Sequence, residues 1–521
     1  MRNIKLVLLL ILGTAVFTNA NAQYLEQFIE SDNCTSVIVG KKASADGSTM
    51  TSHSCDSGTD RTWINLVPHR THKAGSETPV YFQPKRSRGP EDNDIIEAGY
   101  IKQVKETYAF INTAYPVINE YQLAIGETTF GGKRELVSDA GLIDCPELYR
   151  LALERAKTAR EAIKVIDELT KEYGYNDVGE CFTFADPNET WHFEILGPGK
   201  GKVGAVWAAV RIPDDEVGVS ANASRIRKIN LDDPDNYLAS ENVFSLAQEM
   251  GWWDPESGEE FEFCYAYANR RSMACRRREW RVLSLVAPGL NLDPNGENYP
   301  LSVKPENLLT VKDVLDIFRD YYQETPYDMT ASLIARDRRG EYSKSPVANP
   351  FMDSDTRNLL GVASERTIAC PRATYVQVTQ SRNWLPDPIG GIVWLGYDNP
   401  CTTPHIPFYC GIERMPESFM VDGRREFSRE CAWWAFRRVS QLSYNRYQVM
   451  SKDIESVWKT MEDGYFSDQA AFEQKMLELY KKDSKKVKEE LTKYSVDRAE
   501  QAVERYWKLG DELWTKYNNY F

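Results

Sequence analysis

Histidine is scarce in this chain and scattered: there are five, and only His69 and His72 lie close together. No C-x-x-C occurs, and no Cys/His spacing fits a zinc site. The G-x-S-x-G elbow and the P-loop are also missing, and no G-x-G-x-x-G string opens a helix as the dinucleotide fingerprint requires. Nothing in the sequence therefore asks for a metal or another cofactor. Positive charge is in deficit, with a formal net charge of −14, which argues against nucleic acid as a partner. No stretch reaches the roughly 18 apolar residues of a spanning helix, so no membrane partner is expected. Ten cysteines in 521 residues are too few to define a disulfide scaffold.

What is present begins at the N-terminus. Arg2 and Lys5 precede an apolar run from Leu6, and Ala20-Asn21-Ala22 forms an A-x-A cleavage site. Residues 1–22 read as a signal peptide, and the product is expected to be exported, to the periplasm or the extracellular space. Ser31-Asp32-Asn33 before Cys34 is not a lipobox, so lipidation is not expected. Residues 23–33 read as a short acidic linker or propeptide.

The next segment, 34–39, opens with Cys34 and is rich in β-branched residues, so it reads as a strand. Ala45-Asp46-Gly47-Ser48 carries turn chemistry, and 49–54 reads as the returning strand. A loop centred near residue 44 places Cys34 opposite residue 55. His53 and Asp56 then lie within one or two residues of it.

Residues 60–95 have no clear period and read as loop. Strands are expected at 108–113 and 122–125, with Gly126 to Gly132 as a loop. Helices are expected from Pro146 and over 159–172, stopped by Gly174. Four strands follow, at 181–185, 191–196, 203–211 and 217–220, the last opening into Ala221-Asn222-Ala223. Further helices are expected at 238–250, 266–285 and 310–323, with Thr310 and Asp313 as a capping box. Strands at 374–379 and 391–395 precede a helical C-terminal extension over 427–521. That extension would be either a packed appendage or a homo-oligomer surface. Lys481 to Lys493 reads as a solvated helix face. The pattern is α+β, a layered sandwich.

A cysteine freed at a chain terminus brings a thiolate nucleophile and, in its α-amino group, a base. The amine's reference pKa of about 7.7–8.0 leaves a useful neutral fraction near pH 7. Attack of the Cys34 thiol on the Asn33 carbonyl, or another protease, would release it. Asp56 is suited to orienting the amine and thiol, and Asn222 to donating to a tetrahedral oxyanion. Other readings stand beside these: Cys34 bridged to Cys55 across the hairpin, Cys401 bridged to Cys410, Asp56 as a cap, Asn222 as a turn residue.

The string Cys34-Thr35-Ser36-x-x-Val39-Gly40-Lys41-x-Ala43-Ser44-x-Asp46-Gly47-Ser48 resembles the cysteine dipeptidases of the N-terminal nucleophile hydrolase superfamily, which includes the secernins. Asn119-Glu120, Gly126-Glu127-Thr128-Thr129 and Ser220-Ala221-Asn222-x-Ser224-Arg225-Ile226 add to the likeness, which covers about residues 34–425. It implies a four-layer αββα sandwich over a catalytic domain at 34–426, and hydrolysis of dipeptides without metal or cofactor. By motif Cys34 matches the nucleophile, Asp56 the carboxylate beside it and Asn222 the oxyanion-hole asparagine. His53 stands where bile-salt and penicillin V hydrolases carry arginine. Arg271 is a match for a further arginine of those relatives, and Thr129 falls at one of their active-site positions. Glu127 is suited to a substrate's free ammonium. Two further readings remain: hydrolysis of other amides, such as acyl amino acids or bile-salt-like conjugates, and a non-catalytic secreted binding protein.

Overall fold

A computed structural model describes residues 34–58, 60–82, 96–269 and 271–520. The signal peptide and linker expected over 1–33 lie outside the described residues.

The expected hairpin at Cys34 is present, and in the expected register. Thr35 bridges Ser54 and Val39 bridges Met50, which puts Cys34 opposite Cys55. Between those bridges the two strands, Ser36–Val39 and Ser52–Cys55, are joined by side chains rather than a full ladder. The Thr35 amide donates to Ser54 Oγ at 3.0 Å. Ser52 Oγ accepts from the Val37 amide at 2.7 Å and donates to the Val37 carbonyl at 2.8 Å. Hydroxyls that both give and accept thus satisfy backbone groups that water cannot reach.

Each strand extends its own sheet. Ser36–Val39 pairs with Val217–Ser220, and that with Ser302–Val303. Ser52–Cys55 pairs with Tyr375–Gln380, followed by Ile392–Tyr397 and Ile406–Tyr409. The second face is an eight-stranded antiparallel sheet centred on Ala124–Gly131, Gly179–Ala185, Thr190–Leu196 and Val206–Ile212.

Hydroxyls also fill the space between the faces. Ser36 Oγ and Thr51 Oγ1 lie 2.6 and 2.7 Å from Thr183 Oγ1, and Thr128 Oγ1 lies 2.5 Å from Ser220 Oγ. Gly126 is required here: a Cβ on it would collide with the Ser52 carbonyl oxygen.

Helices cover both outer faces. Cys145–Arg155 and Ala159–Tyr173 lie on the eight-stranded sheet; Met273–Val286 and Val311–Phe318 lie on the other. The fold is a four-layer αββα sandwich, of mixed α+β class as expected. Its helix ends follow the local chemistry. Asp144 and Thr158 cap the first pair, Gly174 ends the second at φ 74°, and the Thr310–Asp313 capping box is complete.

Some expectations need correction. Gly126 to Gly131 is strand, not loop; pairing with Gly179–Ala185 overrides the low strand propensity of its glycines. Residues 60–82 contain strands at Asn65–Val67, Arg70–Thr71 and Glu77–Phe82. The helix expected over 238–250 is only Ser245–Glu249, because Tyr237–Ala239 adds a strand beside Val206–Ile212. The helix expected over 266–285 is two, Phe263–Tyr267 and Met273–Val286, the second opened by Ser272 as N-cap. Lys481 to Asp483 is the turn between two long helices, Tyr447–Tyr480 and Ser484–Lys516. None of the ten cysteines is in a disulfide. No helix among the described residues is long and apolar enough to cross a membrane.

The C-terminal helices share the main core with the sheet. Trp394 and Phe466 rings meet at 4.4 Å. Glu462, 1 % exposed, pairs with Arg319 at 2.5 Å and accepts from the His405 amide at 2.8 Å. Burial alone would push the Glu462 carboxyl up; the Arg319 charge and a His405 hydrogen bond outweigh it and hold it down at about 2. A carboxyl lowered in the fold stabilises above its unfolded value of 4.5, and that stability is lost as pH falls through the folded value. Between pH 5 and 2 the wild type should therefore lose on the order of 3 kcal/mol more stability than Glu462→Gln, read as converging urea midpoints.

Candidate active site

Cys34 sits buried at the mouth of the hairpin. Its thiol sulfur, a His53 ring nitrogen and a Glu127 carboxylate oxygen all lie within 4.8 Å of one another. His53 Nε2 is 3.2 Å from Glu127 Oε2, with both side chains almost fully buried. The Tyr375 hydroxyl lies 3.4 Å from His53 Nδ1, and the rings of Tyr115 and Tyr375 meet the imidazole edge-on. Among the described residues, this trio has donor atoms close enough to share a metal ion. The same atoms equally make a nucleophile beside a polarised acid–imidazole pair.

Behind Cys34 stands Arg278, which is fully buried. Its Nη1 donates to the Cys34 carbonyl at 2.5 Å and to Thr35 Oγ1 at 3.0 Å. Its Nη2 donates to the Ala221 carbonyl at 3.2 Å and to Asn222 Oδ1 at 2.9 Å. Asn222 occupies the left-handed region at φ 60°, which asparagine tolerates better than most residues. Its amide Nδ2 donates to the Thr129 carbonyl at 2.8 Å.

Asp56 follows the second strand and is also buried. It pairs with Arg366 and accepts from Ser54 Oγ at 3.2 Å. Burial pushes its carboxyl above the usual aspartate range, against the opposing charges of Arg366, Arg278 and His53. Thr129 Oγ1 donates to Glu127 Oε1 and to Glu180 Oε1, each at 3.0 Å.

Six of the seven predicted site residues (Cys34, His53, Asp56, Glu127, Thr129 and Asn222) are thus linked through short contacts. Arg271 stands apart: it reaches Glu279 at 3.0 Å and Asn298 at 2.8 Å, and lines a separate cavity. Sequence reasoning missed Arg278 and Arg366. Arg278 sits in the run Arg276-Arg277-Arg278, where only the helix phase, set by Ser272 as N-cap, decides which arginine turns inward. Arg366 carries no local motif and meets Asp56 from 310 residues away.

The family model for peptidase family C69 matches residues 33–460. The chain belongs to peptidase family C69. It is 25 % identical over 436 residues to a "Probable dipeptidase" of Latilactobacillus sakei, covering 80 % of this chain and 82 % of that one. It is 26 % identical over 405 residues to a "Probable dipeptidase" of Salmonella dublin, covering 73 % and 81 %. A "Dipeptidase A" of Lactobacillus helveticus is 21 % identical over 435 residues, covering 81 % and 84 %. The family match begins one residue before Cys34 and spans the whole cluster around it.

Removing Arg366 would strand the Asp56 carboxylate in a buried site. Arg366→Met should destabilise the protein by about 3–5 kcal/mol. Adding Asp56→Asn should recover part of that loss, because no lone charge remains. Denaturant unfolding of both variants checks this.

Proposed function

We propose that this C69 peptidase is an exported cysteine dipeptidase whose nucleophile is Cys34, working as the first residue of the mature chain. Residues 1–22 would direct export, and cutting the Asn33–Cys34 bond would free the α-amino group. The catalytic domain would span 34–426, with the helices after it packed on as an extension.

The observation that carries this reading is the cluster of the Cys34 sulfur, a His53 ring nitrogen and a Glu127 carboxylate oxygen within 4.8 Å. In a dipeptide the free ammonium lies one carbon beyond the scissile carbonyl. A nucleophile that selects dipeptides therefore needs a buried acid beside it. Glu127 supplies that acid, and an N-acylated substrate would leave it without its cation at a cost of about 1–3 kcal/mol. His53, where related hydrolases carry arginine, stands 3.2 Å from Glu127.

The cycle follows. The α-amino group takes the thiol proton as sulfur attacks the carbonyl carbon. The tetrahedral oxyanion accepts a hydrogen bond from Asn222 Nδ2. Collapse breaks the C–N bond, and the second amino acid leaves with the proton. Water, deprotonated by the same amine, then attacks the thioester carbon; the first amino acid and the thiol are released. Asp56 orients the amine. Its raised carboxyl and its pairing with Arg366 limit how far it would drive the amine's own pKa up.

Cys34→Ala should abolish dipeptide hydrolysis, and Cys34→Ser should retain part of it at best. Wild type should prefer dipeptides over their N-acetyl forms by about ten- to a hundredfold in kcat/KM, and Glu127→Gln should erase most of that preference. Steady-state kinetics on matched substrate pairs decides the matter. Equal cleavage of the N-acetyl forms by wild type would make the protein a general amidase, and parental activity in Cys34→Ala would end the mechanism.

A further inference from the structure

Beside the Cys34 site lies a second cavity of about 420 Å³, walled in part by Ser224, Asn269, Arg271, Arg276, Glu297 and Asn298. Short contacts tie it to the neighbours of Asn222 and of the Glu127 strand. Ser224 stands two residues after Asn222 in the same turn. Asn269 donates to the Gly132 carbonyl at 3.0 Å, just beyond the strand that carries Glu127 and Thr129. Cys275, in the first turn of the helix that carries Arg278, donates to the Asn222 carbonyl at 3.2 Å.

Its chemistry is that of an anion site. Arg276 is 8 % exposed, yet among the described residues its Nε has no hydrogen-bond partner. Its Nη1 is held by the Asn295 and Gly296 carbonyls at 3.3 and 2.8 Å. Arg271 is fixed by Glu279 Oε2, by Asn298 Oδ1 and by the Glu297 carbonyl at 2.5 Å. Arg225 stands 3.6 Å from the same Glu279 oxygen atom. Two guanidiniums, Arg271 and Arg276, thus line the cavity, and Arg271 shares the Glu279 carboxylate with Arg225. A buried guanidinium N–H without an acceptor costs about 1–3 kcal/mol, and a carboxylate would relieve it with a charge-assisted bond. The volume suits a small polar ligand.

We propose that this cavity binds the free α-carboxylate of the substrate's C-terminal residue, with Arg276 and Arg271 as the binding groups. The inference rests on the dipeptidase reading and deepens it. Glu127 would fix the ammonium on one side of Cys34 and the arginine cavity the carboxylate on the other. Two charges a set distance apart then measure substrate length, so a chain of two residues fits and a longer one does not.

The test compares a dipeptide with the C-terminal amide of the same dipeptide. Wild type should favour the free acid by about tenfold or more in kcat/KM, carried mainly in KM. Arg276→Gln and Arg271→Lys should each bring that ratio close to one, with thermal unfolding followed to confirm the fold. Should a variant fail to fold, inhibition of wild type decides: the free C-terminal amino acid should compete with substrate and its amide should not. Equal rates on acid and amide in wild type, an unchanged ratio in the folded variants, or equal inhibition by the two amino-acid forms would each overturn this inference alone. No hydrolysis of either substrate would overturn the dipeptidase reading itself.

Discussion

One buried guanidinium sets the geometry of the whole site. Arg278 binds the Cys34 carbonyl, Thr35 Oγ1, the Ala221 carbonyl and Asn222 Oδ1 together. Burying an arginine is costly unless its N–H groups are met, and here five acceptors meet them, the fifth being the Ala274 carbonyl, 3.1 Å from Nε. The planar fork also fixes which way the Asn222 amide turns. With Oδ1 accepting from Arg278, Nδ2 must face the Thr129 carbonyl and the strand that carries Glu127. A lysine, with one point of charge, could not hold both sides of that bridge. The Cys34 strand, the left-handed turn and the helix Met273–Val286 are therefore locked in a single arrangement.

The hydroxyl layer between the sheets serves the same end. Ser36, Thr51, Thr128, Thr183 and Ser220 are small, and they let the two faces approach closely while satisfying one another. Larger apolar side chains would push the sheets apart and separate Glu127 from Cys34. Where the sheets meet, polar side chains are buried in pairs: His53 with Glu127, Asp56 with Arg366. Each pair raises the cost of removing one member and so favours a single packing.

Much of this was legible in the sequence where the chemistry is local. The hairpin register followed from strand composition and one turn, and it placed His53 and Asp56 at Cys34 correctly. The caps at Thr310 and Gly174 followed from side-chain chemistry alone. What escaped depends on distant partners. Gly126 to Gly131 has the composition of a loop, and only the facing strand makes it a strand. Arg366 reaches Asp56 across 310 residues with no motif to announce it. Among clustered arginines, Arg271 was the one singled out, whereas Arg278 is the one that meets Cys34. Arg271 precedes the Ser272 N-cap and lies outside the helix, whereas Arg278 lies within it and reaches the Cys34 carbonyl.

The central claim is that position 34 supplies sulfur and base from one residue. Intact-mass analysis of the active, purified protein tests it most directly. The account predicts a chain whose first residue is Cys34, with a thiol that titrates with alkylating reagent in step with loss of activity. An active chain that keeps the peptide bond between Asn33 and Cys34 would contradict it.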